Sequence, residues 1–292
     1  MGPVQARRIL DPLAGLDSPH STGTFEDAYA LLDPTKTTVI TGAGVSTDSG
    51  IPDYRSPGSP QRSPMTGQAF RASPENRRLY WARGYVGWIR YEQFEPNSVH
   101  HDLARLQPRA IVTQNVDGLH EAAGSKRVLE LHGSLHKVVC LSCGLGFHRT
   151  WMQRRLATLN PGFIETTMLD PIDTETNPDG DVELDEVTDF RVPACPACGG
   201  ALKPDVVYFG ESVRPSVARA AEQAVDDADA LLVLGSSLAV HSALRLVRRA
   251  AKDSKAIVIA TDGPTRGDAL ATVRLADRVA PFVSGWRSHW ER

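Results

Sequence analysis

Four short apolar runs alternating with helical stretches, a glycine turn closing the first run, and two cysteine pairs set in an acidic region predict an α/β protein. Its sheet is expected to be parallel, Rossmann-like and covered by helices on both faces, with a small inserted zinc-ribbon domain and a helical and loop lid module. At 292 residues, one large core plus a smaller module is the natural division. We expect the main body to comprise residues 1–136 and 203–292, the zinc module residues 137–202 with an acidic insertion at 165–190, and the lid module residues 56–98.

From the N-terminus, residues 36–41 form a β-branched run that ends at Gly42-Ala43-Gly44, the pattern of a buried parallel strand entering a glycine turn. Residues 56–60 are rich in Pro, Gly and Ser, and an aromatic and Arg-rich stretch follows to residue 94, which reads as a mobile loop and then helices. Residues 109–113, 230–234 and 256–260 are further apolar strands, and a helical stretch over 241–252 separates the last two. Strands this apolar are buried on both faces, as in parallel sheets. Between the halves, residues 170–189 hold nine acids and no Lys or Arg, and read as a solvated loop or hairpin outside the core.

Composition narrows the function. A net charge of -3 provides no global basic field for nonspecific nucleic-acid or membrane adhesion. No apolar run approaches the roughly 20 residues of a membrane helix, and the N-terminal stretch lacks a secretory signal's apolar core. A cytosolic or organelle-matrix setting is therefore expected.

Three constellations carry chemistry. Gly42-Ala43-Gly44-Val45-Ser46 follows a strand, where glycines let backbone approach a pyrophosphate, although Thr47 stands where a dinucleotide fingerprint has its third Gly. Cys140-Leu141-Ser142-Cys143 and Cys195-Pro196-Ala197-Cys198 are two Cys-x-x-Cys knuckles that use every cysteine and suit a closed four-thiolate zinc site. Such a site has no open position, so its zinc is structural; two disulfides are the other reading. Residues 113–120, directly after a strand, place polar amides and a carboxylate at the edge where open α/β sheets hold ligands. His132, just before the knuckles, is either a general base or a structural histidine, and His120 and His136 read as structural.

Gly42-Ala43-Gly44-Val45-Ser46, Gly50-Ile51-Pro52-Asp53-Tyr54-Arg55, residues 113–120, His132-Gly133, the two knuckles and Gly235-Ser236-Ser237 stand in the order found in sirtuins. The resemblance runs over about residues 24–283, and residues 78–83, 203–210 and 263–266 look most like the class II branch, which includes a mitochondrial member. It implies an NAD-dependent protein-lysine deacylase, a deacetylase-type transferase that passes the acyl group to ADP-ribose and releases nicotinamide. By this resemblance His132 is the base that deprotonates a ribose hydroxyl, and Asn115 and Asp117 form the nicotinamide pocket with Val116. Gln114 meets the nicotinamide ribose, while Asp53, Tyr54 and Arg55 close over the cofactor. Gly42, Ala43, Gly44 and Ser46 hold the diphosphate together with Gly235, Ser236 and Ser237.

The same resemblance lays an acylated lysine of a protein substrate between Val207, Phe209 and Gly210 on one side and Leu238 on the other, by strand addition. On the adenosine side it points to Thr261, Asp262, Gly263 and Val279. Two of these depart from the family pattern: Thr261 stands where an Asn is common, and Val279 where a Cys is common. Tyr80 and Arg83, three apart on a helix, match a pair that reads an acyl carboxylate, which predicts a preference for acidic or longer acyl groups. Two other functions compete with the deacylase: a mono-ADP-ribosyltransferase and a noncatalytic NAD-sensing zinc-ribbon protein.

Overall fold

The computed structural model describes residues 12–13, 15–16, 19–53, 65–184 and 187–292. The four apolar runs are strands: Thr37–Thr41 (β1), Ala110–Thr113 (β2), Ala230–Leu234 (β7) and Ala256–Ala260 (β8). Two three-residue strands, Val128–Glu130 (β3) and Val273–Leu275 (β9), complete a six-stranded sheet in the order β3-β2-β1-β7-β8-β9, with every pairing parallel. Side chains of successive strand residues leave on opposite faces. Val39 and Leu232 therefore enter one core with Leu103, Phe282 and Trp286, while Ile40 and Val233 enter another with Val225, Leu244 and Val247. Polar residues in this buried sheet are satisfied: Thr38 Oγ1 donates to the Ala224 carbonyl at 2.7 Å, and Thr41 Oγ1 lies 3.0 Å from His120 Nε2.

Helices cover both faces, as the sequence predicts. Phe25–Tyr29 (α1), Ser98–Leu106 (α4) and Val279–Trp290 (α10) lie on the first core, and Pro215–Asp226 (α8) and His241–Lys252 (α9) on the second. Gly67–Ala72 (α2), Pro74–Tyr91 (α3), Leu119–Ala122 (α5), Arg149–Leu159 (α6) and Phe163–Thr166 (α7) complete the α-helices among the described residues. The second sheet is antiparallel, with Gly133–Cys140 (β4) between Gly146–His148 (β5) and Leu202–Val206 (β6). β4 starts beside His132 and ends on the first cysteine.

The acidic stretch is not the solvated hairpin its composition suggests. Val182, Leu184 and Phe190 are buried in one cluster with Trp81, Tyr85 and Met152. Arginines of α3 hold its backbone: Arg78 Nη1 donates to the Thr188 carbonyl at 2.9 Å, Arg83 Nη2 to Leu184 at 3.1 Å, and Arg90 Nη1 to Ile172 at 3.0 Å. Contact is close because α3 carries Gly87, where a Cβ would lie 2.5 Å from the Gly180 carbonyl oxygen. Arg149 adds a second clamp, its guanidinium 4.6 Å from the Trp88 ring and donating to the Gly84 carbonyl.

Candidate active site

In the order β3-β2-β1-β7-β8-β9 the chain reverses direction across the sheet between β1 and β7, and ligands of open α/β sheets bind at such a switch point, beyond the strands' carboxyl ends. A cleft of about 810 Å³ lies there. The loops after β1 and β7 meet at its floor, with the Gly44 N–H donating to the Gly235 carbonyl at 2.9 Å. Gly235 has φ +55°, and a Cβ on it would come within 2.7 Å of the Gly44 carbonyl carbon, so only glycine permits this approach. Gly42, Ala43, Gly44, Gly235, Ser236 and Ser237 all line the cleft, and the three glycines put no side chain between backbone and ligand.

The polar run after β2 forms the next wall. Gln114 Nε2 donates to Ser236 Oγ at 2.7 Å, tying the β2 loop to the β7 loop. Asn115 Nδ2 donates to Ser46 Oγ at 2.9 Å, and Ser46 Oγ donates to Asp117 Oδ2 at 2.7 Å. The Leu119 N–H donates to the other carboxylate oxygen at 3.0 Å. Burial nevertheless holds the Asp117 carboxyl above its ordinary range, against those hydrogen bonds. One chain of contacts thus sets the aim of Ser46, Asn115 and Asp117 together.

His132 lines the same cleft. Its Nδ1 lies 2.9 Å from the Gln114 carbonyl and its Nε2 2.8 Å from Ser242 Oγ. Burial pulls the imidazole below its usual pKa, opposed by the hydrogen bond to Gln114, so at neutral pH it is an uncharged base. By contrast His120 is a buried core histidine whose Nε2 meets Thr41 Oγ1, and His136 Nε2 lies 2.9 Å from the Asp117 carbonyl.

At the far end, Thr261, Asp262 and Gly263 line the cleft beyond β8. Arg274 of β9 braces them from behind, donating to the Thr261 carbonyl at 2.8 Å and to that of Gly263, and pairing with Asp268 at 2.7 Å. Asp53, Val116, Val207, Phe209 and Gly210 also face the cleft.

Four expected residues are elsewhere. Tyr80 is buried in an aromatic cluster, its ring centre 5.5 Å from that of Phe70 and 5.4 Å from that of Tyr208. Arg83 pairs with Glu183 at 2.9 Å, so the insertion takes up the guanidinium expected to read an acyl group. Val279 packs in the core with Phe282, and Leu238 is fully buried, leaving its neighbours Ala239 and Val240 on the cleft. Tyr54, Arg55 and residues 56–64 of the expected lid module lie outside the described residues. Sequence reasoning passed over Ser242 and Arg245, which face the cleft from α9, and Pro178 and Asp179, which reach it from the insertion. A helix-face pattern marks only the buried stripe of α9, Ala243, Leu244, Leu246, Val247 and Ala250, and passes over the polar residues between.

The four cysteine sulfurs lie within 4.8 Å of one another, with Cys140 and Cys198 3.5 Å apart and Cys143 and Cys195 3.8 Å apart. A tetrahedron with Zn–S bonds of about 2.3 Å has edges of about 3.8 Å, so the four thiolates fit a closed zinc site.

Comparison with known proteins agrees with this geometry. The Sir2 family model matches residues 42–242. NAD-dependent protein deacetylase 1 of Streptomyces coelicolor is 46% identical over 289 residues, covering 96% of this chain and 95% of that protein. NAD-dependent protein deacylase SIR4 of Batrachochytrium dendrobatidis is 47% identical over 259 residues, covering 82% of this chain and 85% of that protein. Among solved structures, a Sir2 protein with a p53 peptide and NAD+ matches with a TM-score of 0.72 at 28% identity, over 91% of this chain and 98% of that one. A Sir2 protein bound to a propionylated peptide matches with a TM-score of 0.69 at 27% identity, over 91% and 98%.

Proposed function

The chain belongs to the Sir2 family and is an NAD-dependent protein deacylase, and we propose that its cleft works through His132 as general base, with Asn115 and Asp117 fixing the reacting end of NAD. NAD supplies the nicotinamide leaving group and the ribose that accepts the acyl group from a modified lysine. The glycine loops after β1 and β7 offer the diphosphate bare backbone. Gln114, held by Ser236, and Asp117, held by Ser46 and Leu119, enter the reaction already oriented. That orientation removes ordering that the substrate would otherwise have to impose. His132 Nε2, the ring nitrogen turned away from the Gln114 carbonyl, is the base that drives deprotonation of a ribose hydroxyl.

The acylated lysine is read by backbone pairing between Val207, Phe209 and Gly210 on one wall and Ala239 and Val240 on the other, all of which face the cleft. Cys140, Cys143, Cys195 and Cys198 hold a structural zinc away from the reaction. The observation that carries this reading is the neutral, doubly anchored His132 inside the cleft with Asn115 and Asp117.

The test is nicotinamide release and deacylated product from NAD with acetyl, succinyl, glutaryl, hydroxymethylglutaryl and lipoyl lysine peptides. His132→Ala is expected to lower product formation by about 10² to 10⁴ while NAD binding persists. Full turnover in that variant, or label transferred to the protein without any acyl peptide, would overturn the reading.

A further inference from the structure

His132 is engaged at both ring nitrogens. A carbonyl oxygen only accepts, so contact with Gln114 at 2.9 Å places the imidazole proton on Nδ1 and leaves a lone pair on Nε2. The hydroxyl 2.8 Å from Nε2 must then donate to it, and that hydroxyl belongs to Ser242. Ser242 sits in the first turn of α9 and lines the cleft beside His132. A sugar hydroxyl approaching Nε2 therefore meets Ser242 Oγ already in place.

A hydroxyl suits this position because it both donates and accepts. While His132 is neutral, Ser242 donates to Nε2; once His132 is protonated, the new Nε2–H needs an acceptor in a half-buried site, and Ser242 Oγ supplies one. An apolar side chain at position 242 would leave Nε2 without a protein partner in either state.

Resting on the reading of His132 as general base, we infer that Ser242 relays the proton. The O–H bond of the ribose hydroxyl breaks as its proton passes to Ser242 Oγ, and the proton of Ser242 passes to His132 Nε2. The electron pair stays on the ribose oxygen. Ser242 ends as a neutral hydroxyl accepting from His132, and the full positive charge rests on the imidazole.

Nuclear magnetic resonance of the full-length, ¹⁵N-histidine-labelled protein without NAD tests the ground state. His132 is expected as the Nδ1–H form with an Nε2 shift that reports an accepted hydrogen bond. Ser242→Ala removes that signature and Ser242→Thr retains it. In turnover, Ser242→Ala is expected to lower kcat about tenfold with KM for NAD unchanged, the rate equivalent of one lost hydrogen bond. Ser242→Thr restores kcat, and a curved proton inventory in mixed light and heavy water becomes linear in Ser242→Ala. An unshifted Nε2 signal with parental kcat in Ser242→Ala, alongside an inactive His132→Ala, overturns the relay and leaves the base reading standing. Full turnover in His132→Ala removes both. A fall in kcat that Ser242→Thr does not reverse makes Ser242 merely structural and likewise overturns the relay.

Discussion

Arg274 shows how much of a binding site is set by side chains that never face it. It is 2% exposed, and its planar fork meets backbone carbonyls of the loop after β8 while pairing with Asp268. Asp268 is partly exposed, so losing the guanidinium costs mainly the buried carbonyl hydrogen bonds, and Arg274→Met is expected to cost about 1–3 kcal/mol in urea denaturation. It should also raise KM for NAD, because Thr261 and Gly263 lose their brace. Arg83 makes the opposite point. Its guanidinium is committed to Glu183 and the Leu184 carbonyl, so Arg83→Ala is expected to leave the ratio of glutaryl to acetyl turnover unchanged while lowering Tm. A selective loss of glutaryl turnover in the peptide panel would restore the acyl-reading role.

At the level of elements, β1, β2, β7 and β8 were legible because each is a continuous apolar or β-branched run, which a sheet buried on both faces requires. β9 escaped notice because its middle residue is a buried arginine, and β3 because three residues are too few for a pattern. The acidic insertion was misread for a different reason. Its summed charge hides the buried Val182 and Leu184, and its partners Arg78, Arg83 and Arg90 lie on a helix about a hundred residues earlier. Gly87→Ala tests that packing directly: a methyl group 2.5 Å from the Gly180 oxygen forces the layers apart, with an expected loss of about 1–3 kcal/mol by thermal melting. Site residues announced by glycine and amide motifs were likewise legible, whereas Ser242 depends on the turn that brings α9 against His132. The ribbon has its own check, since Cys195→Ser should abolish zinc retention measured by elemental analysis and lower Tm.

For the whole molecule, His100 on α4 and His120 on α5 meet beneath β1 with ring centres 4.8 Å apart. Burial, with mutual repulsion for His100, pulls them down to about 3 and about 4 respectively. Both are therefore neutral in the folded state, while the unfolded chain takes up protons below about pH 6.5. Stability is full above that value and falls as pH drops towards 4, by up to about 1.4 kcal/mol per pH unit for each histidine. Melting curves between pH 7.5 and 5 should show the decline, and His120→Gln should flatten it; parallel declines in the two proteins would refute the assignment. A different dependence follows from β4, whose eight residues run from Gly133, next to His132, to Cys140. At about 3.3 Å per residue they span about 26 Å, with the proton acceptor at one end and a zinc ligand at the other. Metal scarcity would thus reach the enzyme as a mechanical event, a slackened tether, and the acylation of its target lysines would rise while NAD remained plentiful.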